Sequence, residues 1–199
     1  MQQYLQLILA STGTHSRSRS SAVAFTSALP GEGVSYVVQS FGAELARQTG
    51  KRVLLADSRR VKSIDVTDHL LMPRCCLRTN VSNLWQLPFE NAPGVTRALH
   101  TAQLVSWRNK GEEEIDHVRT LRLSFDFILI DCPSLAASTD AAMLAPSVDG
   151  MVVVVEAGNT NRQQITRARQ TLEMANDNFL GFVLNKRRYP VPSWLYRRL

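Results

Sequence analysis

No apolar run in this sequence approaches the roughly 20 residues that a membrane-spanning helix requires; residues 151–155 are far too short. Residues 4–10 are apolar-rich, but no basic residue precedes them, so no secretory signal is expected. Cysteine is scarce. Cys75, Cys76 and Cys132 are odd in number and lack metal-ligand spacing, and they are read as reduced thiols of a cytoplasmic protein. There is no internal repeat and no nucleic-acid recognition motif, so the basic balance of the chain is not read as nucleic-acid binding.

What remains is ordinary for a globular protein. The 199 residues suit one α/β domain with a sizeable core, and 44% apolar with 20% charged residues fits that class. The net charge of +6 is uneven. Arg17 and Arg19 sit in a serine-rich stretch, while Lys186, Arg187, Arg188, Arg197 and Arg198 crowd the last residues beside Trp194 and Leu195. Solvated ends of a basic protein explain this. Contact with an anionic membrane surface or an acidic partner is the sharper reading.

The chain is organised around residues 25–36, Phe-Thr-Ser-Ala-Leu-Pro-Gly-Glu-Gly-Val-Ser-Tyr. An apolar run at 22–25 leads into a small-residue loop and then a helical pattern over 34–48, the order strand, loop, helix. In such a loop glycines let successive backbone N–H groups turn toward a phosphate, and the helix start adds free N–H groups and the positive end of its dipole. Pro30, Gly31, Glu32, Gly33, Val34, Ser35 and Tyr36 are therefore the candidate nucleotide-binding residues. A phosphate loop places a lysine after its last glycine and then a serine or threonine for magnesium; here Val34 holds the lysine position and Ser35 follows.

Ahead of this loop, a short helix over 4–10 and a flexible linker over 11–21 are expected. Beyond it, Val34, Val38, Phe41, Leu45 and Ala46 form a core-facing helical stripe that Gly50 stops. A second apolar run, 52–56, ends on Asp57. A strand over 81–87 and a helix over 95–104 follow, then a helix over 112–123 with Ile115, Val118 and Leu121 or Arg122 in phase. Residues 125–130 form an almost wholly apolar strand ending on Asp131, and 138–144 a short helix. A buried strand at 150–155, a helix at 161–176 and a last strand at 179–184 ending on Asn185 complete the pattern. Strands alternate with helices, and unbroken apolar strands suit a sheet covered on both faces. The expected fold is a doubly wound, mainly parallel α/β sheet, with a domain over 21–185, an N-terminal segment 1–20 and a basic tail 186–199.

In such a sheet ligands bind beyond the carboxyl ends of the strands. Those ends carry the loop, Asp57, Asp131 and Asn185. Asp57 and Asp131 are the candidate catalytic carboxylates, and with Ser35 the candidate magnesium ligands.

The loop 26–33, the segments Lys51-Arg52-Val53-Leu54-Leu55-Ala56-Asp57 and Phe125-Asp126-Phe127-Ile128-Leu129-Ile130-Asp131, and residues 149–155 resemble the cytoplasmic domain of bacterial tyrosine kinases, the BY-kinases, relatives of the MinD/ParA ATPases. Gly181-Phe182-Val183-Leu184-Asn185 matches as well, with Asn185 where the family reads adenine. The resemblance implies a P-loop fold, ATP or ADP with magnesium as cofactors, a cytoplasmic place at the inner face of the membrane, and service in capsule or exopolysaccharide assembly. It also implies a membrane protein of polysaccharide chain-length control or export as partner, and self-association.

Three departures stand out. Val34 replaces the phosphate-binding lysine, Arg59 stands where the family commonly has a second aspartate, and only Tyr189 and Tyr196 occupy the tail. The expected function is that of a degenerate relative, weak or inactive in turnover, which regulates polysaccharide production. The alternatives are an active tyrosine kinase or ATPase with an atypical loop, and a MinD/ParA-type positioning factor.

Overall fold

Residues 21–27 run Ser-Ala-Val-Ala-Phe-Thr-Ser, and every one of them is buried. They form β1 (Ser21–Ser27), which pairs in parallel with β5 (Phe127–Asp131) on one side and β6 (Gly150–Glu156) on the other. The structure, a computed structural model, describes residues 20–61, 76–87, 117–175 and 178–187. The helices expected over 4–10 and 95–104, and the tail tyrosines Tyr189 and Tyr196, lie outside the described residues.

Around β1 the sheet adds β2 (Val53–Asp57), β4 (Leu84–Gln86) and the two-residue β3 (Leu77–Arg78) beyond β5, and β7 (Phe179–Asn185) beyond β6. Among the described residues the order is β3-β4-β2-β5-β1-β6-β7, parallel throughout except between β3 and β4.

Successive side chains of a strand point to opposite faces, so one apolar strand supplies two cores. Ala22, Ala24, Leu54, Ile128, Ile130, Met151 and Val153 face one side. There they meet α3 (His117–Leu121), α4 (Asp140–Leu144) and α5 (Arg162–Ala175) through Val118, Leu121, Ala141, Leu144, Ala168 and Leu172. Val23, Phe25, Val53, Leu55, Phe127, Leu129, Val152 and Val154 face the other, under α1 (Val34–Thr49) and its stripe of Val34, Val38, Phe41 and Leu45. Gly50 ends α1 in a left-handed conformation (φ 64°), its N–H donating to the Ala46 carbonyl. The sheet is doubly wound, as the sequence pattern predicts.

Some boundaries differ. The linker expected through residue 21 stops short, because Ser20 is buried, its hydroxyl donates to the Phe125 carbonyl at 2.6 Å, and Ser21 already belongs to β1. The strand expected over 81–87 narrows to Leu84–Gln86, after a turn in which Asn83 has φ 61°. At the end of α3 the core position is Leu121. Arg122 instead donates to Asp149 (2.7 Å) and to the carbonyls of Ser20 and Ser147, fastening the start of β1 to the approach of β6.

Glu32 sets the shape of the loop between β1 and α1. Its side chain is fully buried, one carboxylate oxygen accepting from the Leu29 N–H (2.8 Å). The other accepts from the Glu156 N–H (3.1 Å) and from the Thr160 hydroxyl. A buried carboxylate is stable only when its lone pairs are engaged in this way. Glu32→Ala leaves the Leu29 N–H without its carboxylate acceptor and the Glu156 N–H with only the Thr160 hydroxyl, and is expected to cost about 3 kcal/mol of stability. Glu32→Gln should lose less, because its amide oxygen still accepts from one donor. Urea unfolding midpoints of the three chains provide the comparison.

Candidate functional site

A parallel sheet delivers every strand's carboxyl end to one edge, and here that edge collects the expected residues. Asp57 and Asp131 end neighbouring strands and are direct register partners, while Asp131 also pairs with Phe25 of β1. The loop 28–33 leaves β1 at the same edge, and Asn185 ends β7.

Gly31 and Gly33 both have positive φ (83° and 89°), which is how the backbone curls before α1. Gly33 has a second reason to be glycine: a Cβ there would lie 2.3 Å from Asn185 Nδ2. No side chain caps α1 and its first turn carries no acidic residue, so its leading N–H groups and the positive end of its dipole stay available. Ser35 and Tyr36 are exposed at this opening, Tyr36 at 67%. Glu32, by contrast, spends its side chain on the fold and can offer a phosphate only its backbone N–H.

At the lysine position Val34 is buried. It packs into the apolar cluster of Val23, Phe25 and Val38 and does not reach over the loop. Another lysine does approach from across the edge. Lys186, in a left-handed turn (φ 54°) after β7, donates from Nζ to the Gly31 carbonyl at 2.6 Å and pairs with Glu156 at 3.1 Å. Asn185 Nδ2 donates to the Glu32 carbonyl at 2.8 Å, so both residues brace the loop from outside. Sequence reading assigns Lys186 to the basic tail and misses this contact. Its one signal is its place directly after the asparagine that ends the last strand.

The carboxylates differ in environment. Asp57 is 9% exposed, and Arg59 answers it three times: through its backbone N–H to Oδ1 (2.8 Å), Nε to Oδ1 (3.2 Å) and Nη2 to Oδ2 (3.1 Å). The Arg59 side chain is itself largely exposed. Its bond to Asp57 holds the guanidinium pKa above its ordinary value, and the charges of Asp140 and Asp131 add to the effect. Burial pushes the Asp131 carboxyl up from the usual carboxylate range, and the Asp57 charge adds to this. A hydrogen bond from Ser35, and the charge of Arg59, pull it back in part.

Ser35, Asp57 and Asp131, the expected magnesium ligands, thus line one small cleft. Yet both oxygens of Asp57 are held by Arg59, and the Ser35 hydroxyl is turned to Asp131. Among the described residues no three His, Cys, Asp or Glu side chains gather as a metal-binding group. The donor set as arranged is an ion-paired carboxylate beside a hydrogen-bonded one and does not fit an open cradle for a divalent cation.

Because burial disfavours its charged form, Asp131→Asn is expected to stabilise the chain at pH 7. The folded pKa lies above the unfolded one, so wild-type Asp131 gains stability as pH falls through the carboxylate range, and the advantage of the variant should shrink there. Urea titrations of both chains at pH 7 and pH 4.5 would show a constant difference if Asp131 were not so strained.

No family model matches the chain. Curated relatives and solved structures do. Tyrosine-protein kinase CpsD of Streptococcus agalactiae is 31% identical over 181 residues, covering 82% of this chain and 74% of the relative. The succinoglycan biosynthesis transport protein ExoP of Rhizobium meliloti is 30% identical over 179 residues, 85% of this chain but only 22% of that longer protein. Among structures, the chimerical protein CapA2B2 superposes with a TM-score of 0.64 at 19% identity, covering 92% of this chain and 81% of that one. The septum site-determining protein MinD of Pyrococcus horikoshii, solved with Mg-ADP, superposes with a TM-score of 0.58 at 18% identity over 90% of this chain and 76% of that one. Taken with the loop, the strand-end aspartates and the doubly wound sheet, these matches show that the chain belongs to the bacterial tyrosine kinases, the BY-kinase branch of the P-loop proteins.

Proposed function

We propose that this chain is a degenerate BY-kinase domain that regulates exopolysaccharide or capsule production as a binding and switching component, with negligible phosphoryl transfer. The observation that carries the reading is Val34, whose side chain is buried in the core where a cation should face the phosphates.

Magnitudes separate binding from chemistry. A hydrogen bond to a charged group contributes roughly 1.5–3 kcal/mol, so the missing lysine weakens nucleotide binding about ten- to a hundredfold. Loss of one preorganised charge stabiliser costs about 10²–10³ in rate, and the loss of an acidic metal ligand at Arg59 compounds it. The loop N–H groups and the start of α1 still bind an anion, because they depend on backbone alone. Weak nucleotide binding with little turnover is the outcome, with Asn185 as the adenine-side contact.

The setting follows from kinship. ExoP is a succinoglycan biosynthesis transport protein, and a domain like this one would act through a membrane protein of polysaccharide chain-length control or export. Among the described residues no helix is long and apolar enough to cross a membrane.

Phosphate release and autophosphorylation of wild type, Val34→Lys, and Val34→Lys with Arg59→Asp test the reading. Wild type should be silent. Val34→Lys should tighten nucleotide binding about tenfold with little turnover, and the double variant should regain the most activity. Robust wild-type turnover that Asp131→Asn abolishes would establish an active kinase or ATPase instead.

A further inference from the structure

Two departures from the family pattern, Val34 and Arg59, meet at the same strand edge. The first removes a positive charge, and the second adds one where an acid is expected. Arg59 is no bystander in the cleft. Its guanidinium chelates both oxygens of Asp57, its own N–H donates to the same carboxylate, and its charge is felt by Asp131 and Asp140.

Exposure gives the arrangement a direction. Asp57 is 9% exposed, whereas the Arg59 side chain is 68% exposed. The negative charge therefore lies beneath and the positive charge outermost, toward solvent. Only one residue separates the partners, so the pair forms with little loss of chain entropy, and a bidentate guanidinium is the strongest simple match for a carboxylate. Magnesium would have to displace this guanidinium while shedding its own water, which it does reluctantly.

We propose that Arg59 takes the charge-neutralising place of the divalent cation at Asp57, so that the loop accepts a nucleotide's phosphates without magnesium. This rests on the nucleotide reading above and goes beyond it by assigning the counter-ion. Val34 and Arg59 are then one exchange: a mobile metal and a loop lysine give way to a single tethered guanidinium. Arg59 supports binding, but as a fixed monovalent charge it cannot bridge and polarise a transferring group as a dication can.

The test has two arms, run on the full chain, with circular dichroism confirming that the exposed substitutions leave the fold intact. In the first, Mn²⁺ is titrated without nucleotide and free Mn²⁺ is read by electron paramagnetic resonance. Wild type should take up none, and Arg59→Ala should gain a site; Mn²⁺ bound as tightly by wild type as by Arg59→Ala would overturn the assignment of Arg59. In the second, a fluorescent ADP analogue is titrated in EDTA and in magnesium. Wild-type affinity should agree within about threefold between the two media, while Arg59→Ala should weaken about tenfold in EDTA and recover in magnesium. Wild-type binding that appears only with magnesium would overturn the proposal. Absence of binding by every variant in both media would remove the nucleotide reading and metal-free uptake with it, leaving the Mn²⁺ arm to decide the role of Arg59.

Discussion

A carboxylate buried under the phosphate-type loop holds the working edge of this protein together. Glu32 joins the loop's own backbone at Leu29 to the far end of β6 at Glu156 and to Thr160 just before α5. With Asn185 and Lys186 gripping the same loop from the end of β7, two consecutive residues of the loop, Gly31 and Glu32, are fixed by contacts from elements more than a hundred positions away. The loop's curl is therefore a tertiary property. Its glycines permit the shape, and Glu32 selects it.

The electrostatics of the edge follow from that rigidity. A fixed loop and a fixed strand register bring Asp57 and Asp131 side by side whether or not a ligand is present, and two neighbouring carboxylates need a cation. Arg59 meets Asp57 directly. Asp131, half-buried and answered by the Ser35 hydroxyl, is left with its pKa raised. The burial of Val34 completes the picture, because the loop itself then presents dipoles and no charge.

Much of this was legible in the sequence because it depends on short-range pattern. Unbroken apolar runs such as Phe-Ile-Leu-Ile announce strands buried on both faces, and in a parallel sheet the residues that end them must share an edge. Asp57, Asp131, Ser35 and Asn185 could be named for that reason. β3 escaped notice because its two residues, Leu77 and Arg78, are exposed and carry no periodicity. Glu32 read as a loop residue because its burial is decided by partners 124 and 128 positions away. Lys186 read as the first residue of a basic tail, and only the left-handed turn at its own position returns its ammonium to Gly31. The 112–123 pattern left Leu121 and Arg122 equally in phase, and the choice fell to Asp149, which lies 27 positions from Arg122.

The central place of β1 also bears on how the chain comes off the ribosome. Synthesised well before its partners, β1 has no sequence neighbour to pair with. Its partners are β5 and β6, and the bond from the Ala22 N–H to Asp149 spans 127 positions. Until those strands emerge, a seven-residue segment without proline or charge has both hydrogen-bonding edges open. Such a segment is prone to stick to another nascent copy, and topologies closed by distant strands fold slowly. The feature that makes the finished sheet secure thus exposes its birth. Yield in cells should depend on chaperone supply and growth temperature more than the stability of the folded domain would suggest.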